Sequence, residues 1–281
     1  LGGIGLSTTT EGIARFGQLY LQNGLWQGAQ LLPEAWVEAA TVAQGPASDG
    51  GLSDWNQGYG YQFWRCRHGA YRGDGVFGQF CIVMPEQDAV LAITGGIDVF
   101  AMQEPLDLVW DILLPALHPG ALPADPAAHD ALTQKLSSLS LAPMHGQATA
   151  PTAAQVSGRT YAVDSNPLQI ETIAVHFNAS GCVVSVRTAA GDESIPCGYG
   201  QWQRGQTTLF NSPWLSGRTP VTTSGAWTDA ATFTMIVRLY ETPFYHMLVF
   251  HFVDDELMIE AQVNVSLDAV DPLLLTARRA D

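Results

Sequence analysis

Tyr71-Arg72-Gly73-Asp74 is the stretch of this 281-residue chain whose residue types and spacing best suit chemistry. Glycines at 73, 75 and 78 leave the backbone bare, so that a partner group can approach the main chain there. The plain alternative is a hairpin turn, in which Asp74 is a turn residue. Other reactive side chains are scattered. His68 just precedes the Gly-rich stretch and has no evident partner, and neither has His176. His246 and His251 lie five apart in a strand pattern, which puts them on opposite faces and gives poor metal spacing. Cys66, Cys81, Cys182 and Cys197 form no CxxC pair and read as buried thiols rather than a disulfide framework. Trp202, Trp214 and Trp227 read as aromatic packing before they read as ligand stackers. No metal or cofactor is expected.

The elements that must position these residues fall into two textures. Residues 8–24 read as a helix: Thr8 with Glu11 fits a capping box, Ile13, Phe16, Leu19 and Tyr20 share a face, and Asn23-Gly24 ends it. LLPEAWVEAAT is a second short helix, and 45–57 is a polar loop. GYGYQFWRC, CIVM and AVLAIT read as three strands, the last two joined by Pro85-Glu86-Gln87-Asp88, followed by an apolar helix over 104–117. Residues 119–155 are Ala- and Pro-rich with a helix near 126–139 and read as a linker. From 156 onward nine short strands with almost no helix predict an antiparallel barrel or sandwich. Inward Phe, Met and Leu predict a filled interior. The predicted fold class is α+β: an α/β domain over 1–118 with a three-stranded antiparallel sheet and helices, then an all-β barrel over 156–281.

The order and spacing of GGIGLSTTTEGIARFGQLYLQNG, GYGYQFWR and YRGDGVFGQFCIVMPEQDAVLAIT resemble the C-terminal half of a class C β-lactamase-related serine hydrolase. GRTYAVDSNPLQIETIAVHF with Trp202 downstream resembles, more weakly, a lipocalin-like accessory barrel. The first resemblance implies an acyl-enzyme mechanism without metal, an ester, amide or peptide substrate, and an extracytoplasmic setting. It places Tyr71-Arg72-Gly73, with Asp74, where a Lys-Thr-Gly strand edge supplies an oxyanion donor. Arg72 then stands near where a basic residue would meet a carboxylate.

Two parts of that machinery are missing. Lys135 is the sole lysine and Leu132 lies three before it, so there is no Ser-x-x-Lys; no tyrosine is followed two positions later by Asn. The chain also opens in mid-motif at Leu1, which reads as a fragment. It is therefore expected to be inactive alone, the alternative being a non-catalytic ligand- or protein-binding module. Half a sheet would leave an apolar face uncovered, so a homodimer through that face is expected. With 12 basic against 27 acidic residues, net −15, nucleic acid is an unfavourable partner. No apolar run is long enough to span a membrane.

Overall fold

The computed structural model describes residues 5–45, 51–210, 217–268 and 271–280. Two compact units divide the chain, Leu1–Thr133 and Gln134–Asp281.

The first unit begins with α1 (Thr10–Leu21). Its N-cap is Thr9, whose hydroxyl accepts from the Gly12 N–H at 3.0 Å. The expected box on Thr8 is not formed, because Glu11 turns to Arg15 at 2.6 Å instead. Asn23 and Gly24, at φ 50° and 82°, end the helix as the sequence suggests. Its inward face is set by Gly17 and Tyr20, leaving Phe16 47% exposed. A Cβ on Gly17 would lie 2.5 Å from Val90 Cγ1, so the missing side chain is what lets the helix reach the sheet. A minimal hairpin, β1 (Leu25–Trp26) and β2 (Ala29–Gln30), leads to α2 (Glu34–Thr41).

The sheet has four strands, in the order β3 (Trp64–Arg65), β4 (Tyr71–Gly75), β5 (Gln79–Met84), β6 (Ala89–Ile93), all antiparallel. Alternation along β5 splits its side chains. Phe80, Ile82 and Met84 pack with Leu106, Val109 and Trp110 on the C-terminal helical segment. That segment runs from α3 (Gln103–Leu108) through a π turn, Val109–Leu113, into α4 (Leu114–Ala116). Val83 points the other way, with Tyr20, Val37, Phe63 and Tyr71. Helices thus cover both faces, and Phe80 to Met84 are all buried. This corrects the expectation of an uncovered sheet face, and a homodimer through it loses its physical basis.

α5 (Pro126–Ser138) follows, exposed along its length. In the second unit much of the expected linker belongs to the barrel. Gln147 exchanges backbone hydrogen bonds with Trp227 at 2.8 and 2.9 Å, Trp202 Nε1 donates to the Leu141 carbonyl at 2.7 Å, and Ala153 and Val156 of α6 (Ala153–Val156) join the core. The strands are β7 (Thr160–Val163), β8 (Ile170–Asn178), β9 (Gly181–Thr188), β10 (Gly191–Gly198), β11 (Gln203–Thr207), β12 (Thr219–Trp227), β13 (Thr232–Arg238), β14 (Tyr245–Val253), β15 (Glu256–Val263) and β16 (Leu273–Arg279). The sheet order is β10-β9-β8-β7-β16-β15-β14-β13-β12-β11, closed by a parallel bridge between Gly198 of β10 and Ser224 of β12. Nine strands make the ring, and β11 pairs with β12 beside the seam. Ten strands form among the described residues of this unit where nine were expected from sequence. Closure removes the long open edges that a flat sheet of this length would carry.

The interior is filled. Trp227, Phe233, Met235, Phe250, Leu257 and Ile195 are each at most 3% exposed. Gly225 supplies room for them: a Cβ there would meet Phe233 Cζ at 2.5 Å and Cys197 Sγ at 2.8 Å. All four cysteines are unbridged and buried.

Candidate functional site

The Gly-rich stretch is a strand rather than a turn. Tyr71–Gly75 pairs with β5 along its whole length, from Tyr71↔Val83 to Gly75↔Gln79. The reversal lies at Val76–Gly78, where Phe77 and Gly78 take φ of 67° and 84°. Gln79 Nε2 braces it by donating to the carbonyls of Phe77 at 3.1 Å and Gly95 at 2.8 Å.

On its other side β4 is only half covered. β3 meets it at Trp64↔Arg72 and Arg65↔Tyr71 and stops. The stop has a local cause. Gln62 sits at φ 65°, Gly60 N–H bonds the Phe63 carbonyl at 2.7 Å, and Tyr61 N–H goes to Ala40 at 2.9 Å, so the chain turns away before reaching Asp74.

The ladder tells which backbone groups this leaves open. Cys66 N–H donates to the Ala70 carbonyl at 2.9 Å, whereas Arg65 N–H points away from β4 to Gly58 at 2.8 Å. In an antiparallel ladder hydrogen-bonded pairs alternate, so Arg72 faces β3, while Tyr71, Gly73 and Gly75 turn their N–H and C=O to β5. Asp74 faces the uncovered side. Of the four sequence candidates, only Asp74 has its peptide N–H and C=O on the open edge.

The side chains are arranged differently. Tyr71 packs among Phe63, Tyr20 and Val83, its ring edge-on to Phe63 at 5.7 Å; burial pushes its hydroxyl up to about 12. Gly73 is the least crowded glycine of the stretch, a Cβ there meeting only Cys81 Cβ at 3.7 Å. Arg72 is fully buried. Its Nε donates to Asp74 Oδ2 at 2.9 Å, its Nη1 to the Asp54 carbonyl at 3.0 Å and to Cys66 Sγ at 3.2 Å, and its guanidinium lies 4.5 Å over the Trp55 ring. Nη2 also approaches Asp74 Oδ2 at 2.9 Å but off the bonding line. Arg72 therefore points into the core, and its charge is already matched. Burial raises the Asp74 carboxyl above its ordinary range, with Arg72 pulling it back.

Behind this pair stands Asp54, which sequence reading did not single out. It is fully buried, and Oδ2 accepts from Gln103 Nε2 at 2.7 Å, Trp110 Nε1 at 2.9 Å and Arg67 Nη2 at 3.1 Å. Oδ1 accepts from Arg67 N–H at 2.9 Å. Burial opposes ionisation, but the bonds from Gln103, Arg67 and Trp110 outweigh it and hold the carboxyl below its usual range. Arg67 is shared with Asp107. Asp54 thus ties the 51–57 loop to α3 and, through its carbonyl, to Arg72. A lone Asp between Ser and Trp in a polar loop was the only signal of it.

The histidines stay apart. His68, at φ 58°, lies against Trp110 at 5.4 Å. His176 is exposed beside Gly158. His246 points inward and stacks on Phe210 at 4.3 Å, and burial lowers its pKa to about 4. His251 faces outward, its Nδ1 3.1 Å from the Thr232 hydroxyl. Among the described residues no three His, Cys, Asp or Glu side chains gather as a metal site. Trp227 is core, Trp202 is half-buried with Arg238 at 5.9 Å, and Trp214 lies outside the described residues.

No family model matches the chain, and no curated protein matches it. Among solved structures it is similar to a fatty acid-binding protein from brain tissue of Drosophila melanogaster, at 12% identity and TM-score 0.33, covering 44% of this chain and 99% of that one. It is likewise similar to the REP1-NXSQ fatty acid transporter, at 12% identity and TM-score 0.33, covering 46% and 98%. Neither is a serine hydrolase, and at that TM-score neither carries an argument about this chain. The barrel rests on its own closed strand order. Among the described residues no helix is long and apolar enough to cross a membrane.

Proposed function

We propose that this chain is a non-catalytic binding module whose α/β unit takes an extended peptide at the open edge of β4. The observation that carries it is the Asp74 peptide, whose N–H and C=O face away from β5 where β3 has ended. Main-chain pairing to an exposed edge supplies affinity without a specialised side chain. The Asp74 carboxylate is engaged by Arg72, which holds the strand straight and leaves the side chain no free role. With net charge −15, a basic peptide is the favoured class. The barrel serves as a filled domain, since interior aromatics occupy the space a fatty-acid-sized ligand needs, and inward-facing Glu193 is 8% exposed and unfavourable to an anionic headgroup.

Backbone amide NMR with a basic, strand-forming hexapeptide tests this. Shifts should cluster at Gly73–Val76, and N-methylation of alternate peptide amides should abolish them. Shifts elsewhere, or indifference to methylation, would overturn it.

A second reading shares the same edge. The Asp74 N–H suits the oxyanion wall of an acyl-transfer pocket whose hydroxyl and amine base lie outside these 281 residues. The succession of helix, antiparallel sheet and C-terminal helix favours it. A fluorophosphonate should leave this chain unlabelled by itself, and ester turnover with a modified serine mapped inside it would sink both readings.

A further inference from the structure

On the opposite face of the same sheet, residues of α1, α2, β3 and β4 line a half-open pocket of about 440 Å³. Such a volume is within the range of small-ligand sites. Three observations about its lining stand together.

First, Tyr20 and Tyr71 line it with rings that are 7% and 5% exposed, and among the described residues neither hydroxyl has a hydrogen-bond partner. Each hydroxyl opens into the pocket, where a ligand oxygen can take the place of water.

Second, Arg65 lines it with no carboxylate in ion-pair range among the described residues. Nη1 and Nη2 donate to the carbonyls of Thr41 and Gly69, each at 3.0 Å, and the guanidinium carbon is 5.9 Å from the Tyr71 ring centre. Two carbonyls leave its positive charge uncompensated.

Third, Glu34 and Glu38, both exposed, line its rim from one face of α2, four residues apart. Among the described residues Glu34 accepts only from Asn23 Nδ2 at 3.3 Å, and Glu38 makes no ion pair. The pocket therefore carries charges of both signs that do not touch, with two phenol hydroxyls beside the positive one.

We infer that this pocket binds a small zwitterion of amino-acid or dipeptide size. Its carboxylate is taken by Arg65 with the Tyr20 and Tyr71 hydroxyls, its ammonium by Glu34 and Glu38, and its apolar side chain by Leu21, Val37 and Pro85. Either charge alone would satisfy one wall and be repelled by the other. The site uses no group of the β4 edge.

Calorimetric titration of the full chain with glycyl-leucine, leucinamide and N-acetylleucine separates the charges. Glycyl-leucine should bind at least about tenfold more tightly than either single-charge analogue. Tyr71→Phe removes one oxygen and should weaken it by about three- to tenfold without lowering the thermal midpoint. Arg65→Gln should remove the preference for glycyl-leucine over leucinamide, and Glu34→Gln with Glu38→Gln the preference over N-acetylleucine. The inference is overturned by the absence of saturable heat up to about 10 mM glycyl-leucine. Binding that Tyr71→Phe and Arg65→Gln leave unchanged would overturn it equally.

Discussion

Arg72 and Asp74, two positions apart on β4, form a buried ion pair with Arg72 Nε 2.9 Å from Asp74 Oδ2 and the guanidinium wholly removed from solvent. The spacing places both on one face of the strand, and alternation sends Tyr71 and Gly73 to the other. What looks in sequence like a basic residue offered to a ligand is thereby consumed in holding the strand.

Arg72→Ala should cost about 3–5 kcal/mol, because it leaves Asp74 and the Asp54 carbonyl buried without their partner. Arg72→Met combined with Asp74→Leu should recover most of that loss, since hydrophobic groups of similar size replace buried pairs at little cost. Urea unfolding at neutral pH checks both. A double variant no more stable than Arg72→Ala would show that the pair is not what the site needs.

Asp54 makes an acid-sensitive contribution. Its folded pKa is depressed, so its stabilisation is complete above the unfolded value of about 4 and is lost as pH falls through the folded value. Asp54→Asn should destabilise by about 2–3 kcal/mol at pH 7, with the gap to the native chain closing below about pH 4. Urea midpoints measured at several pH values read this directly; a constant gap would assign the effect to shape alone.

His246 acts in the second unit with a different window. Burial lowers its pKa to about 4, so the neutral ring is the folded form. Its contribution is present above the unfolded value of about 6.5 and is lost as pH drops from there toward the folded value. His246→Phe keeps the stack on Phe210 and removes the titration. Relative to the native chain the variant should gain on the order of 2 kcal/mol between pH 7 and pH 4.5. Parallel pH profiles for the two proteins would refute the assignment.

Gly225→Ala should destabilise the barrel by about 1–3 kcal/mol, since the new methyl overlaps Phe233 and Cys197. Adding Cys197→Ala frees one of the two clashes and should return part of the loss. Thermal unfolding of the single and double variants distinguishes this from a backbone effect, for which the second change would bring no recovery.

Much of this architecture was legible in the residues themselves. Asn23-Gly24 marks a helix end because both must take positive φ, and alternation in Phe233, Met235 and Val237 marks an inward strand face because the side-chain period is two. The missing Ser-x-x-Lys is likewise a property of the string. These are local rules, and they hold wherever the segment lies. Tertiary structure decided the rest. Nothing near Asp74 says that β3 will end opposite Arg72, since that depends on Gln62 and on Tyr61 reaching back to Ala40. Nor does Arg65 show by its neighbours that no described carboxylate will reach it, or Asp54 that Trp110 will donate to it across 56 positions. Which backbone edge stays open, and which charge stays unmatched, is set by segments far apart in the chain, because pairing and desolvation depend on proximity in space.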